Sequence, residues 1–366
     1  MDEISLLGRH CIVGLSEPRL TRTEAKLLST LRPAGIILFR HNIDTASERG
    51  WGRDLLTLIA NAREASEREK FIVSIDHEGG KVHRLPEPIT RFTPCCSWQD
   101  LAEDVGRAMG EELASIGVNL SFAPVLDILS NPENRVIGER AFATKAEEIW
   151  PRAEKFIRGL ENAGVIACGK HFPGHGRTFA DSHFKLPTVS VSLDELENCE
   201  FVPFRQAVDS GIKAMMTAHV VYTALDPEYP ATLSRKIINE LLRSSFGFSG
   251  TVFTDALEMN ALGQNTFESN SLTAMQAGAD YLLYGMGKID YPAVTAQKSV
   301  IHILKMIDKS EALERAICQS AERTEAFLKQ LPNNRLAELD NPEEKKLHRQ
   351  LAEELQQRYA SQTAHE

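Results

Sequence analysis

The 366-residue sequence lacks an excess of positive charge, because 41 Lys and Arg residues stand against 51 Asp and Glu residues and give a formal net charge of −10. This balance argues against nucleic acid or an anionic membrane surface as the main partner. The sequence also lacks any run approaching the roughly 20 apolar residues that span a bilayer. Its first residues, MDEISLLGRHCIVGL, are acidic where an export signal is basic, so we expect a cytoplasmic protein.

Cysteine pairs with the C-x-x-C spacing typical of metal sites are absent as well. No C-x-x-C pair occurs among the six cysteines, which are Cys11, Cys95, Cys96, Cys168, Cys199 and Cys318. Scattered cysteines in a reducing compartment favour free thiols over a disulfide framework or a zinc–cysteine site. Cys11 and Cys168 lie inside apolar runs and are predicted to fill the core.

What the sequence does contain is a repeating unit of a helical stretch followed by a short apolar run. The eight runs are HCIVGL, AGIILF, FIVSIDHEGG, IGVNLSFAPVLD, AGVIACGKHF, SGIKAMMTAH, SGTVFTDAL and AGADYLLYG. They are continuous rather than alternating, as expected for strands covered on both faces, and helical patterns such as 99–115 and 147–162 separate them. This order predicts an α/β fold with a single (β/α)8 TIM-type barrel of some irregularity, with a doubly wound sheet as the alternative.

The composition changes after Leu331, where the chain becomes polar and charged. We therefore assign residues 1–331 to the barrel and residues 332–366 to a helical extension that is too short to be a second domain. Asn341 is the expected cap of this helix. Its apolar residues recur every four positions and predict docking on the barrel or on a partner. They are Leu347, Leu351, Leu355 and Tyr359.

Polar side chains stand at the C-terminal ends of five predicted strands. In a (β/α)8 barrel these ends meet at the one face that carries the active site. Each residue alone could be an ordinary strand-end group, but five strands together favour an active site. The residues are Asp76, Asp127, Lys170 with His171, His219 and Asp255.

The stretch GKHFPGHGRTFADSHFKLP, residues 169–187, concentrates three histidines near one of these strand ends. A phosphate-binding loop is one explanation, since residues 164–170 have the spacing G-x4-G-K. However, the residues between those glycines form the strand itself, and His171 replaces the hydroxyl residue that would bind magnesium.

A metal site or an acid–base pair could also explain the stretch. His171, His175 and His183 could ligate a divalent metal, although the proline and glycines between them exclude a helical H-x-x-x-H pair, and an H-x-H pair is absent from the sequence. Asp181 and His183 are two residues apart, so in an extended segment both side chains lie on the same side. A carboxylate beside an imidazole suits proton transfer near neutral pH.

At this point the residues resemble a known family. KHFPGHGRTFADSHFKLP is similar to the signature of glycoside hydrolase family 3, and its D-S-H is typical of the β-N-acetylglucosaminidase (β-N-acetylhexosaminidase) branch. IDHEGGKVHRL, NRVIGERAF and FTDALEM resemble the family's D-x-E-G-G-R-V-x-R motif, its I-G-x-R-x-F motif and its nucleophile-bearing strand. The resemblance extends over residues 4–307, nearly the whole predicted barrel.

The resemblance implies a retaining exo-β-N-acetylglucosaminidase that releases terminal N-acetylglucosamine from β-linked glycosides, such as cell-wall (peptidoglycan) recycling fragments. Asp255 would be the nucleophile, and His183, paired with Asp181, the general acid/base. The partner would be a small-molecule sugar or muropeptide, with neither a cofactor nor a metal, and we favour a monomer. The residues that would hold the sugar hydroxyls are Asp76, Arg84, Arg140, Lys170 and His171.

Two departures and several alternatives remain. Lys81 and His83 stand where the family usually has arginine and glutamine, and a lysine lacks the planar fork of donors that arginine supplies. This affects substrate details or local packing rather than catalysis. Because a histidine does not repel an anionic acceptor as a carboxylate would, a phosphorylase remains an alternative, as do a β-glucosidase, a metal-dependent barrel hydrolase and a non-catalytic sugar-binding protein.

Overall fold

The computed structural model describes residues 3–179, 186–263, 265–285, 291–332 and 342–363. Ten strands lie in these ranges, and each is short. They are β1 (Cys11–Gly14), β2 (Gly35–Leu38), β3 (Ile72–Ile75), β4 (Leu120–Ser121), β5 (Ile166–Phe172), β6 (Thr188–Val189), β7 (Ala214–Thr217), β8 (Val221–Tyr222), β9 (Thr251–Phe253) and β10 (Leu282–Tyr284).

Eight of these strands form one parallel sheet in the order β10-β1-β2-β3-β4-β5-β7-β9. A parallel bridge between Phe253 and Tyr281 joins the last strand to the first and closes the sheet into a barrel. All eight apolar runs of the sequence supply one barrel strand each, and the predicted (β/α)8 fold is confirmed.

Helices surround this barrel and connect its strands. The helix between β7 and β9, Lys236–Ser245, is a π-helix. The α-helices are α1 (Glu3–Gly8), α2 (Arg22–Leu31), α3 (Trp51–Ser66), α4 (Ala102–Ser115), α5 (Ala146–Asn162), α6 (Leu193–Asn198), α7 (Phe201–Asp209), α8 (Phe267–Ala277), α9 (Pro292–Ile307), α10 (Glu311–Gln330) and α11 (Pro342–Thr363).

The core has two layers, which explains why the strand sequences are continuously apolar. Ile12 points into the barrel interior with residues such as Phe122 and Phe253. Cys11 and Val13, its neighbours in β1, pack outward against the helices. Both faces of each strand are therefore buried, as in other parallel sheets covered by helices.

The helices α4 and α5 approach each other unusually closely. A Cβ atom at Gly106 would lie 2.2 Å from the carbonyl oxygen of Phe156, and one at Gly159 would lie 2.1 Å from that of Glu103. Only glycine fits at these two positions, since no side chain can be placed in the backbone contact. This contact fixes α4, against which the C-terminal helix packs.

The predicted C-terminal helix is present as α11, and it docks on the barrel by contacting α4. Leu355 is fully buried, whereas Leu347 is 63% exposed, so the expectation that Leu347 shares the docking face is wrong. Because a helix turns slightly more than one full turn every four residues, a four-residue repeat drifts, and His348 takes the buried place instead. Asn341 lies outside the described residues, and the boundary at residues 331/332 stays a prediction.

All six cysteines are free thiols, as predicted, and Cys11 and Cys168 are buried. Within the part of the chain that the structure describes, no helix is long and apolar enough to cross a membrane. The sequence did not reveal the parallel pair β6–β8, which lies beside the barrel and whose strands have two residues each.

Candidate active site

The C-terminal ends of the barrel strands bring together most of the polar residues singled out in the sequence. Asp76 directly follows β3, Lys170 and His171 belong to β5, and Asp255 comes two residues after β9. Parallel strands in a closed barrel present all their C-terminal ends at one face, so these side chains share one end of the molecule.

Lys170 is the centre of the first cluster. Its side chain is 2% exposed, and its ammonium lies 2.7 Å from Asp76 Oδ1 and 2.5 Å from Glu78 Oε1. Burial alone would lower the pKa of Lys170, but the carboxylates of Asp76 and Glu78 outweigh it, and the pKa is raised. Lys170 is therefore a charged donor held between two acceptors.

Arg140 joins the same cluster through Glu78. Its Nε donates to Glu78 Oε2 at 2.7 Å and a terminal nitrogen donates to Oε1 at 2.9 Å, which is a bidentate pair. Burial would raise the pKa of Glu78, but Arg140 and Lys170 overcome this and lower it well below its usual range. Glu78 thus links the two cations and remains ionised.

The second cluster orients His171. Asp127 is fully buried, and His171 Nδ1 donates to its Oδ2 at 2.6 Å. The backbone N–H groups of His171 and His175 both donate to Asp127 Oδ1, at 3.2 and 2.7 Å. Since Nδ1 carries a proton, the tautomer and the direction of the His171 ring are fixed by this carboxylate.

His175 is held inside the loop that follows β5. The residue is 2% exposed, and its Nδ1 lies 3.1 Å from the hydroxyl of Thr178. Burial and the neighbouring His171 lower its pKa to about 4, although the carboxylates of Asp127 and Asp255 act in the opposite sense. His175 is therefore a neutral imidazole at pH 7.

Asp255 occupies the end of β9 and is partly exposed. Its Oδ1 accepts a 2.7 Å hydrogen bond from the backbone N–H of Ala256. Burial raises the pKa of the Asp255 carboxyl, but His219, His171 and the Ala256 N–H together lower it below its usual value. The group is consequently a carboxylate at neutral pH.

A second carboxyl group, that of Glu258, lies in the same loop, and its pKa is shifted in the opposite direction. Burial raises its pKa to about 7, and the charge of Asp255 adds to this effect. Its Oε2 atom is buried and has no hydrogen-bond partner among the described residues. The two environments separate the pKa values, which leaves Asp255 as the ionised carboxylate.

His219 contacts the backbone beside Asp255. It is fully buried, and its Nε2 lies 2.9 Å from the carbonyl oxygen of Ala256. A carbonyl only accepts, so this nitrogen carries a proton and donates. The contact holds the backbone at the residue next to Asp255.

Arg84 differs from the other site residues in its hydrogen bonding. It is partly buried after β3, and its Nε has no hydrogen-bond partner within the described ranges. His77 is buried nearby, and the ring of His83 lies 4.6 Å from that of His77. Lys81, the other departure, forms a 3.2 Å ion pair with Glu139.

Asp181 and His183 lie outside the described residues, so their predicted pairing stays a prediction. Among the residues that are described, no group of three or more His, Cys, Asp or Glu side chains could hold a metal ion.

Glu78 is a site residue that the sequence analysis did not identify, although it lies in the D-x-E-G-G motif. Its role becomes visible only when Arg140, 62 residues away, folds against it.

Comparison with known proteins shows which family the chain resembles. The profile of the family described as glycosyl hydrolase family 3 N terminal domain matches residues 6–326. A β-hexosaminidase of Alkalilimnicola ehrlichii is 38% identical over 290 residues, which cover 76% of this chain and 80% of that protein.

Solved structures of similar proteins also superpose on this chain. The glycoside hydrolase family 3 β-N-acetylglucosaminidase of Paenibacillus sp. superposes with a TM-score of 0.84 and 32% identity, over 96% of this chain and 68% of that one. NagZ from Neisseria gonorrhoeae, in complex with N-trifluoroacetyl-D-glucosamine, superposes with a TM-score of 0.71 and 29% identity, over 94% and 97% of the two chains.

Proposed function

Because the chain belongs to glycosyl hydrolase family 3 and is a glycoside hydrolase of the β-N-acetylhexosaminidase type, we propose that it is a retaining exo-enzyme that releases terminal N-acetylglucosamine from β-linked glycosides. The natural substrates in this proposal are small cell-wall (peptidoglycan) recycling fragments, handled in the cytoplasm. The sugar analogue bound by NagZ of Neisseria gonorrhoeae supports a small-molecule sugar as the substrate.

The observation that carries the proposal is the state of Asp255. It is an ionised, partly exposed carboxylate on the barrel face that also carries Lys170 and His171, both of which act on it electrostatically. A carboxylate nucleophile must be unprotonated and accessible to attack a sugar. The raised pKa of the neighbouring Glu258 makes Asp255 the better candidate of the two.

In the proposed reaction, an Asp255 oxygen forms a bond to the anomeric carbon while the bond from that carbon to the leaving oxygen breaks. His183, paired with Asp181, gives its proton to the leaving oxygen. Water then attacks the same carbon, transfers a proton to His183 and displaces Asp255. Two inversions at one carbon give net retention.

The sugar hydroxyls are proposed to contact the clusters around Lys170 and His171. Lys170 offers N–H donors and Asp76 offers a carboxylate acceptor, which together suit a hydroxyl that both donates and accepts. Arg140 and Arg84 are proposed to supply further donors. The partners of these groups are fixed before substrate arrives, as in Lys170–Glu78 and His171–Asp127, so little reorganisation is needed on binding.

The proposal is tested with aryl glycosides. The enzyme should hydrolyse 4-nitrophenyl N-acetyl-β-glucosaminide in preference to the matching β-glucoside, and Asp255→Asn should lower kcat by roughly 10³-fold or more. Asp209→Asn, a change at the C-terminal end of α7, is the matched control and should leave kcat unchanged. Faster turnover of the glucoside, or wild-type activity of Asp255→Asn, would overturn the assignment.

The same assay separates hydrolysis from phosphorolysis. With phosphate present, the product should remain free N-acetylglucosamine. Formation of the sugar 1-phosphate would establish a phosphorylase instead.

A further inference from the structure

The C-terminal helix α11 is anchored on the outside of the barrel at several points. His348 bridges two carboxylates of α4, with Nδ1 3.0 Å from Glu112 Oε1 and Nε2 2.9 Å from Glu111 Oε2. Leu355 enters the hydrophobic core, and Arg358 donates to Asp100 at 2.8 Å. These contacts fix both the position and the rotation of the helix.

Beyond these anchors, α11 reaches a turn that belongs to the active-site face. The hydroxyl of Tyr359 donates to Glu139 Oε2 at 3.1 Å. The other oxygen of Glu139 lies 3.2 Å from Lys81 Nζ. Glu139 belongs to the short 3-10 turn Gly138–Arg140, the Arg140 turn.

The Arg140 turn is therefore held from two sides. On the barrel side, the Arg140 guanidinium forms its bidentate pair with Glu78, which in turn contacts Lys170. On the other side, Tyr359 holds the side chain of the preceding residue. A third contact involves the backbone of the turn, since Cys95 Sγ lies 2.9 Å from the Arg140 carbonyl oxygen.

The Cys95 contact belongs to the same arrangement. Cys95 begins the short turn Cys95–Ser97, against which α11 also packs. Burial raises the pKa of the Cys95 thiol well above its usual value, so the thiol stays protonated and can donate to the Arg140 carbonyl. Helix α11 thus reaches the Arg140 turn by two routes, through the side chain of Glu139 and through the turn that carries Cys95.

We propose that Tyr359 is a positioning residue for the reaction, which acts by holding Glu139 so that Arg140 presents its guanidinium to Glu78 and to the sugar in one fixed geometry. This inference rests on the proposed function, in which Arg140 contacts the sugar. Glu139 has two partners, Tyr359 and Lys81. The Lys81 ion pair is the weaker contact, because the Lys81 side chain is 74% exposed and water screens the pair.

The test is the steady-state kinetics of Tyr359→Phe with 4-nitrophenyl N-acetyl-β-glucosaminide. This change removes one hydroxyl and keeps the packing of the ring, so the full-length protein should retain its thermal midpoint within a few degrees. KM should rise about three- to tenfold with a smaller change in kcat, because the loss concerns substrate positioning and not the nucleophile. Gln356→Ala, at an exposed position of α11, is the control and should match the wild type.

A double-mutant cycle with Arg140→Lys decides whether Tyr359 acts through Arg140. Arg140→Lys should raise KM on its own, and adding Tyr359→Phe to it should change KM by less than twofold, since coupled residues are not additive. Full additivity of the two effects, or an unchanged KM in Tyr359→Phe beside a raised KM in Arg140→Lys, would overturn the positioning role. An unchanged KM in Arg140→Lys would instead overturn the sugar contact of Arg140, and with it the basis of the inference.

Discussion

Lys170 is a charged side chain with almost no access to water, which is expensive unless its charge is compensated. The structure compensates it with Asp76 and Glu78, and Glu78 is itself paired with Arg140. Removing one member of such a buried set leaves the others uncompensated, which costs more than the set contributes when complete. The residue is thus needed for stability as well as for the proposed sugar contact.

We expect Lys170→Met to lower the free energy of unfolding by about 3 to 5 kcal/mol, because Asp76 and Glu78 lose the cation between them. Urea unfolding of the purified protein measures this. Lys213→Met is the matched control, since Lys213 pairs with Glu161 at a site that is far more exposed than Lys170, with the Lys213 side chain 34% exposed, and it should cost at most about 1 kcal/mol. Equal losses in the two variants would contradict the account of Lys170.

Among the elements, α11 shows how a buried polar contact replaces an apolar one. His348 is 8% exposed and lies between Glu111 and Glu112, whereas Leu347 beside it faces solvent. Burial would lower the pKa of His348, but the hydrogen bonds that its ring donates to both carboxylates raise it to about 9. The imidazolium is therefore a charged anchor of α11 at neutral pH.

The docking of α11 should consequently depend on pH. Because the folded pKa of His348 lies above its unfolded value of about 6.5, its contribution is complete below pH 6.5 and is lost as the pH rises through about 9. We expect a loss of about 1 to 2 kcal/mol across this window, after allowance for solvent screening at a surface helix.

Hydrogen exchange of the α11 amides, compared between the wild type and His348→Gln at each pH, measures this effect. The difference between the two proteins should be largest below pH 7 and vanish near pH 10. Intrinsic exchange rates and the titration of other groups are common to both proteins and cancel. A difference that stays constant over the whole range would show that the charge of His348 does not anchor the helix.

The elements also show what a sequence can and cannot predict. The eight barrel strands were predictable because each must be apolar on both faces, which leaves a continuous run. The pair β6–β8 was not, since two-residue strands leave no period to recognise. Glu78 was missed for a related reason: its partners Arg140 and Lys170 are distant in the sequence, and only the closed barrel brings them to one place.

For the whole molecule, the barrel separates its two ends. The candidate site occupies the C-terminal ends of the strands, whereas the opposite end is held by Asp280, which is fully buried just before β10. Asp280 accepts from Arg243 at 2.6 Å, from Arg323 at 2.8 Å and from the backbone N–H of Val252 at 2.8 Å. These contacts tie the π-helix, α10 and β9 to β10, at the seam where the sheet closes.

Conserving the shape of Asp280 while removing its charge should therefore affect stability and spare substrate binding. Asp280→Asn leaves Arg243 and Arg323 without their counter-charge, and we expect the free energy of unfolding to fall by about 3 kcal/mol. KM for the aryl glycoside should stay within twofold of the wild type, since the active face of a barrel is separate from the face that stabilises it. Glu103→Gln, which breaks an exposed pair with Arg158, is the control and should change stability by less than about 1 kcal/mol. A raised KM together with unchanged urea unfolding in Asp280→Asn would contradict both expectations. It would show that Asp280 influences substrate binding at the opposite end of the barrel and does not stabilise the fold.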